Sequence, residues 1–490
     1  MGKLIFEKDN KVPCSYIRKP DLDIKEPSNF IPKEFLRKEL NLPSPGELEV
    51  VRHYANLSEL NFCVDKNFYP LGSCTMKYNP KINEELANLE NFLNIHPYQD
   101  NKDLQGALEL IYNLEKILCE ITGMSRFTFQ PSSGAQGELT GLLMIKKYHK
   151  IKKNKKYKVI VPVSSHGTNP ASIAMCGYEA VNVETTKDGL VDIDKLNNLV
   201  DESVAAMMLT NPNTLGLFEE DILKIKDIIH KVGAFLYYDG ANFNALLGIT
   251  KPSIMGFDII HLNLHKTFST PHGCGGPGLG AVGVSKEFVD FLPVPIVDKK
   301  GEKFYLNYNI KNTIKRVRSF VCNFSVLVKA YSYLLRLGSN GLSDIAYIAV
   351  LNANYIKERL KQYYELASEK PCMHEVVFSC KKQKEKGITA FDIAKSLIDY
   401  GIHPPTIYFP LIVKEAIMIE PTETENRKTL DYFIDAMIKI NEEIDKNPDK
   451  IKNSPHKAPV RRVDEVKAAR ELDLAYKPKD FPNFCDNRDV

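Results

Sequence analysis

Between about residues 100 and 270 the chain alternates between two textures. "DLQGALELIYNLEKILCEITG" carries apolar residues at helical spacing and stops at Gly123. "SRFTFQPSSGAQGELTGLLMIKKYHK" reads as a strand, a Ser/Gly turn and a helix. The pattern then gives a strand in "YKVIVPVSSHG", a short helix in "TNPASIAMCG" and strands in "EAVNVET" and "AAMMLTNPN". "FEEDILKIKDIIHKVG" is an amphipathic helix ended by Gly233, and "AFLYYDGAN" and "DIIHLNLHK" are strands again. Strands this uniformly apolar, alternating with helices, predict a mostly parallel sheet covered on both faces.

In such sheets ligands bind beyond the carboxyl ends of the strands. The turns at 132–134, 164–167, 211–213, 239–242 and 265–267 are therefore expected on one edge. The flanks differ. Residues 1–95 are rich in proline and charge and read as an arm with short helices. The large domain is expected over 96–310. Helical runs such as "FSVLVKAYSYLLRLG" and "FDIAKSLIDYGI", with short strands "EVVFSC" and "AIMIEP", predict a smaller α+β domain over 311–445. A basic, proline-bearing extension occupies 446–490.

Composition narrows the function class. The 490 residues exceed one ordinary core. Basic and acidic side chains nearly cancel, at 65 against 62, which argues against nucleic acid as a main partner. Ten scattered cysteines form no CxxC pair and fit a reducing cytoplasm better than a disulfide framework. No run approaches the roughly 20 apolar residues of a membrane helix, so no membrane partner is expected.

The candidate chemistry lies on the expected edge. In "HLNLHKTFSTPHGCGGPGLG", Lys266 follows an apolar strand and precedes a glycine-rich loop. A surface lysine is the ordinary reading, but a buried ammonium is costly unless paired or uncharged, and a lysine so placed suits imine chemistry. Asp239 ends the strand "AFLYY". It is a helix cap or, with Lys266, the carboxylate that keeps a pyridine nitrogen protonated. Ser133, Gly134 and Ala135 sit where a turn enters a helix and favour a phosphate. His166 follows a strand at the same edge, where an imidazole is a structural residue or lies over a planar ring. The order of anion turn, histidine, aspartate and lysine is more specific than any one member.

These motifs, with "PGELEVVRHYANLS", "LGSCTMKYNP", "TNPNTLGLFE" and "HPPTIYFP", resemble the pyridoxal-phosphate subunit of glycine dehydrogenase (decarboxylating), the P-protein of the glycine cleavage system, over nearly the whole chain. The resemblance implies a fold-type I, aspartate-aminotransferase-like α/β fold and pyridoxal 5'-phosphate on Lys266. It implies Asp239 at the pyridine nitrogen, His166 stacked on the ring, and Ser133, Gly134, Ala135, His265 and Ala241 around the cofactor. It implies glycine as substrate, lipoylated H-protein as acceptor and a related P-protein subunit 1 that lacks the lysine, two of each. One departure is Cys274, where the family's loop reads glycine. The cofactor residues alone leave two other readings: a decarboxylase or lyase of the same cofactor class acting on another amino acid, and a non-catalytic scaffold subunit, which would need neither Asp239 nor Lys266.

Overall fold

The computed structural model describes residues 4–8, 29–36, 43, 45–272 and 278–474. The chain divides into two compact units, residues 1–61 with 454–490, and residues 62–453. In the first, helix α1 (Glu47–Glu59) begins with the Gly46 N–H donating to the Glu49 carboxylate (3.1 Å), and a short helix, Glu465–Arg470, is capped by Asp464.

The second unit holds the site. It opens with helices α2 (Lys81–Ala87), α3 (Glu90–Leu93) and α4 (Gln105–Thr122), the last ended by Gly123 in the left-handed conformation (φ 75°). Strands β1 (Arg126–Thr128), β2 (Lys158–Pro162), β3 (Glu179–Val183), β4 (Val204–Thr210), β5 (Phe235–Gly240), β6 (Ile259–Asn263) and β7 (Gly280–Val284) form one sheet in the order β1-β7-β6-β5-β4-β2-β3. Strands β3, β2, β4, β5 and β6 are mutually parallel; β7 is antiparallel to both β6 and β1. Helices α5 (Gly134–Lys152), α6 (Thr168–Met175), α7 (Ile193–Leu199) and α8 (Ile222–Lys231) connect them. The apolar runs have a physical cause in this layering. On β5, Leu236 and Tyr238 enter one buried cluster with Leu114 and Leu118, while Phe235 and Tyr237 enter another with Leu142 and Ile145. Both faces of the strand are covered, so no position is left for polar alternation.

A two-stranded hairpin of β8 (Ile296–Lys300) and β9 (Lys303–Asn307) precedes α9 (Phe324–Leu360), which is interrupted at Gly338. The chain then forms a four-stranded antiparallel sheet, β10-β11-β13-β12, from β10 (Glu365–Leu366), β11 (Val376–Ser379), β12 (Thr406–Ile407) and β13 (Ala416–Ile419). Helices α10 (Lys381–Glu385), α11 (Ala390–Ile398) and α12 (Arg427–Lys446) accompany it, and α11 starts with a Thr389/Asp392 capping box. Residues 62–95 belong to this unit, and Leu71 forms an antiparallel bridge with Ile419 of β13. No described helix is long and apolar enough to cross a membrane.

Candidate active site

Lys266 lies three residues beyond β6, and its backbone N–H turns back to the Asn263 carbonyl (3.0 Å). The parallel register sets Asp239 on β5 directly opposite His261 on β6. Asp239 and Lys266 thus leave neighbouring strands at the same end. Both line a cavity of about 350 Å³, together with Gly134, Ala135, His166, Ala241 and His265. Ser133 does not line it but caps α5 beside Gly134, its hydroxyl accepting the Gln136 N–H (3.2 Å). The turns after β2, β4, β5 and β6 share the carboxyl edge of the parallel strands as expected, but they do not all open on this cavity. Asn213 opens with Ser164, Ser165 and Glu219 on a separate small cavity. Cys274 lies outside the described residues.

Asp239 is buried and receives the Ala241 N–H (3.1 Å), the Asn169 amide (3.2 Å), the Thr210 hydroxyl (3.3 Å) and His261 Nε2 (3.2 Å). Burial pushes its carboxyl up, but His261, the Asn169 amide, the Ala241 N–H and Lys266 outweigh burial and hold it below the usual carboxylate range. Burial also drives His261 toward its neutral form, so the imidazole supports Asp239 mainly as an oriented N–H donor. With Nε2 donating, Nδ1 accepts the Tyr237 hydroxyl (2.9 Å). Asp239 is thereby built to stay an anion at one end of the cavity. At the other, the Lys266 amine donates to the Ser73 carbonyl (2.7 Å).

The third corner is the start of α5, a helix of 19 residues whose first N–H groups carry partial positive charge. The turn is tightly fitted. Both the N–H and the hydroxyl of Ser132 donate to the Gln136 carboxamide oxygen (2.7 and 2.8 Å), and a Cβ at Gly280 would lie 2.1 Å from the Ser133 carbonyl oxygen. Glycine on β7 is therefore what lets that strand press against the turn. His166 is exposed at the cavity wall, its Nδ1 is 2.9 Å from the Thr168 hydroxyl, and its ring meets Phe409 edge-on at 5.7 Å. Burial, then Lys266 and His272, push His265 down to about 3, so it is neutral.

Several lining residues had no assigned role in the sequence. Glu138, one turn into α5, accepts the Thr168 (2.8 Å) and Ser172 (3.1 Å) hydroxyls. Burial and then the charge of Asp239 push its carboxyl up to about 7. Its unfolded value is 4.5, so between 4.5 and about 7 the folded chain binds more protons than the unfolded one, and this residue's contribution to stability falls as pH rises through that window. Across the same window the thermal midpoint of Glu138→Gln is expected to gain on that of the unsubstituted protein. A constant difference would show that Glu138 is not the proton-bearing group. His261 carried one signal, a histidine inside an apolar strand, which needs a polar neighbour. Gly72, Ser73 and Cys74 from "LGSCTMKYNP", a segment that reads as built to line a site, and Thr406 and Phe409 from "HPPTIYFP" also line the cavity.

The residues fit pyridoxal phosphate: an amine for its aldehyde, an enforced carboxylate for its pyridine nitrogen and a helix N-terminus for its phosphate. The fold is that of the fold-type I pyridoxal-phosphate enzymes. Proteins named probable glycine dehydrogenase (decarboxylating) subunit 2 from Caldanaerobacter subterraneus subsp. tengcongensis and from Thermotoga maritima are each 55% identical to this chain, covering 96% and 95% of it and 97% and 98% of their own lengths. The chain belongs to the glycine dehydrogenase (decarboxylating) subunit 2 family. A family model described as glycine dehydrogenase, C-terminal domain, matches residues 345–462. Among solved structures, an inhibitor-bound glycine decarboxylase (P-protein) of the glycine cleavage system superposes with a TM-score of 0.70 at 21% identity, over 84% of this chain and 94% of that one. The glutamate decarboxylase of Lactobacillus brevis superposes with a TM-score of 0.64 at 14% identity, over 84% and 96%.

Proposed function

We propose that this chain is the lysine-bearing subunit of a glycine dehydrogenase (decarboxylating), an oxidoreductase of the glycine cleavage system. It removes the carboxyl group of glycine as carbon dioxide and passes the remaining aminomethyl group to the lipoyl arm of H-protein. The observation that carries the reading is the pairing of Asp239 and Lys266 at the ends of adjacent parallel strands in one cavity, in a chain 55% identical to its named relatives over nearly full length.

Bound pyridoxal phosphate supplies an electron sink for the charge left on the glycine carbon when carbon dioxide departs. The chain's own residues set that up. Lys266 would provide the amine that holds the cofactor's aldehyde carbon. Asp239, kept ionised by its four donors, holds a proton at the pyridine nitrogen. Ser133, Gly134 and Ala135 present the start of α5 to the phosphate. His166 would cover one face of the ring, and Ala241 and His265 line the same cavity.

The chain works in the cytoplasm with a related subunit 1 that lacks the lysine, two of each, and with lipoylated H-protein. The name "subunit 2" of its relatives supports this assembly. Purified alone, saturated with pyridoxal phosphate and given lipoylated H-protein, the chain is expected to show little glycine-dependent exchange of labelled bicarbonate. Adding subunit 1 restores it. Full exchange by the chain alone, unchanged on adding subunit 1, would favour a self-sufficient homodimer.

A further inference from the structure

Residues 72–74 of the segment 72–75 line the cavity beside the Lys266 amine. Two of its residues adopt backbone conformations that side chains disfavour, Ser73 at φ 65° and Thr75 at φ 49°. Buried glutamates from the small domain hold both. The Ser73 N–H donates to Glu375 Oε2 (2.9 Å), while the Thr75 N–H and hydroxyl donate to Glu420 Oε2 (3.0 Å) and Oε1 (2.7 Å). Farther along, Lys77 donates to the carbonyl of Thr267 (2.9 Å), the residue after Lys266, and pairs with Glu423 (2.6 Å). The segment is thus clamped to the lysine's own loop.

Glu375 and Glu420 have carboxylate oxygens within 4.8 Å of each other and exposures of 0% and 1%. Two carboxylates so close and so dry do not both ionise. Burial and the charge of Glu420 drive Glu375 well up, toward its neutral form, in which its oxygen still accepts the Ser73 N–H. Burial raises the Glu420 carboxyl as well, but its hydrogen bonds from Thr75 oppose that rise, so Glu420 is the better placed of the two to carry the one charge.

We propose that the Ser73 backbone carbonyl is the docking point for the ammonium group of glycine, and that Glu375 and Glu420 are positioning residues that fix this carbonyl beside Lys266; the inference rests on the glycine-decarboxylating reading above. The incoming ammonium and the lysine amine are hydrogen-bond donors of the same kind. The amine left once that ammonium gives up a proton still has N–H groups to donate, so the same acceptor would hold it in the place of Lys266. This gives "LGSCTMKYNP" a role that the cofactor contacts do not.

The test uses the cofactor-loaded chain with subunit 1 and lipoylated H-protein, reading bicarbonate exchange against glycine concentration. Glu375→Ala removes the acceptor for the Ser73 N–H, whereas Glu375→Gln keeps it. The alanine variant is expected to raise KM for glycine by roughly tenfold or more, the scale of one hydrogen bond to a charged group, with kcat and the visible absorbance of the bound cofactor nearly unchanged. The glutamine variant stays close to the original KM. An unchanged KM in Glu375→Ala, or an equal rise in both variants, overturns the proposal. If Glu375→Ala does not fold, Glu420→Gln carries the test. Both Glu420 oxygens accept from Thr75, so the carboxamide puts a donor where one acceptor stood. A rise in KM is expected, and an unchanged KM overturns the proposal. Absence of glycine-dependent exchange in the unsubstituted assembly is a separate result, and it refutes the functional reading instead.

Discussion

Lys266→Ala is expected to abolish measurable bicarbonate exchange, a loss on the order of 10⁴-fold, the upper range for removing one positioned acid–base side chain. The expectation follows from placement. Lys266 is the cavity amine that shares an edge with Asp239, and its 2.7 Å contact to Ser73 is with a neutral carbonyl rather than with a carboxylate that would lock it in a salt bridge. Borohydride reduction of the loaded, unsubstituted protein followed by peptide mapping is expected to leave the pyridoxyl group on Lys266, and the same treatment of Lys266→Ala to leave none. A label on another lysine, or retained exchange in the variant, would move the chemistry elsewhere. Thermal midpoints should differ little between the two apoproteins, since Lys266 contributes no core packing.

The sheet was legible because its central strands are buried on both faces, and such strands announce themselves as apolar blocks between helical segments. β7 was not. Its sequence, "GAVGV", continues the glycine-rich loop after Lys266 and reads as more of the same loop. It is a strand because β1 and β6 offer it two edges to pair with, a fact of tertiary structure. The hairpin of β8 and β9 escaped notice for another reason: five-residue strands joined by a turn at Gly301, lysine-bearing on both sides of it, resemble a solvated loop.

The site divides in the same way. Lys266, Asp239, His166 and the 133–135 turn were legible because each sits within a few residues of a strand end or helix start, and local sequence fixes that. Glu375 and Glu420 were not, because they reach the segment they hold from just before β11 and just after β13 of a different sheet, more than 300 residues along the chain. Glu138 lies between. Its helix was foreseen, but its burial and its closeness to Asp239 depend on how α5 packs across β5 and β6, and burial first, then that closeness, raise its proton affinity. Asn213 shows the converse: a turn at the right edge whose side chain is drawn into another network, donating to the Gly189 carbonyl (2.9 Å) and accepting the N–H groups of Leu215 and Leu217.

Asp239→Asn separates holding the cofactor from activating it. The substitution is nearly isosteric, and the Lys266 amine and the α5 N-terminus are untouched, so pyridoxal phosphate is expected to remain bound with a visible absorption band. The chemistry changes because a carboxamide has no charge to keep a proton on the pyridine nitrogen. Of the four donors now aimed at the carboxylate, the His261 N–H and the Asn169 amide would meet a weaker acceptor or an N–H group, so the variant also loses the network that orients position 239. Removing one preorganised electrostatic contact costs about 10²- to 10³-fold in turnover, roughly 2.7–4 kcal/mol, and this contact acts in a buried site where it is worth the larger figure. Exchange is therefore expected to fall by about 10³-fold, with the affinity for glycine little altered, since the hydrogen bonds of Asp239 go to Ala241, Asn169, Thr210 and His261 and not to the Ser73 wall. The measurement is kcat and KM for glycine in the full assembly, alongside cofactor content from the absorption band. Near-normal kcat with cofactor bound would show that Asp239 does not govern the ring nitrogen. Loss of cofactor in step with kcat would make it a binding residue instead.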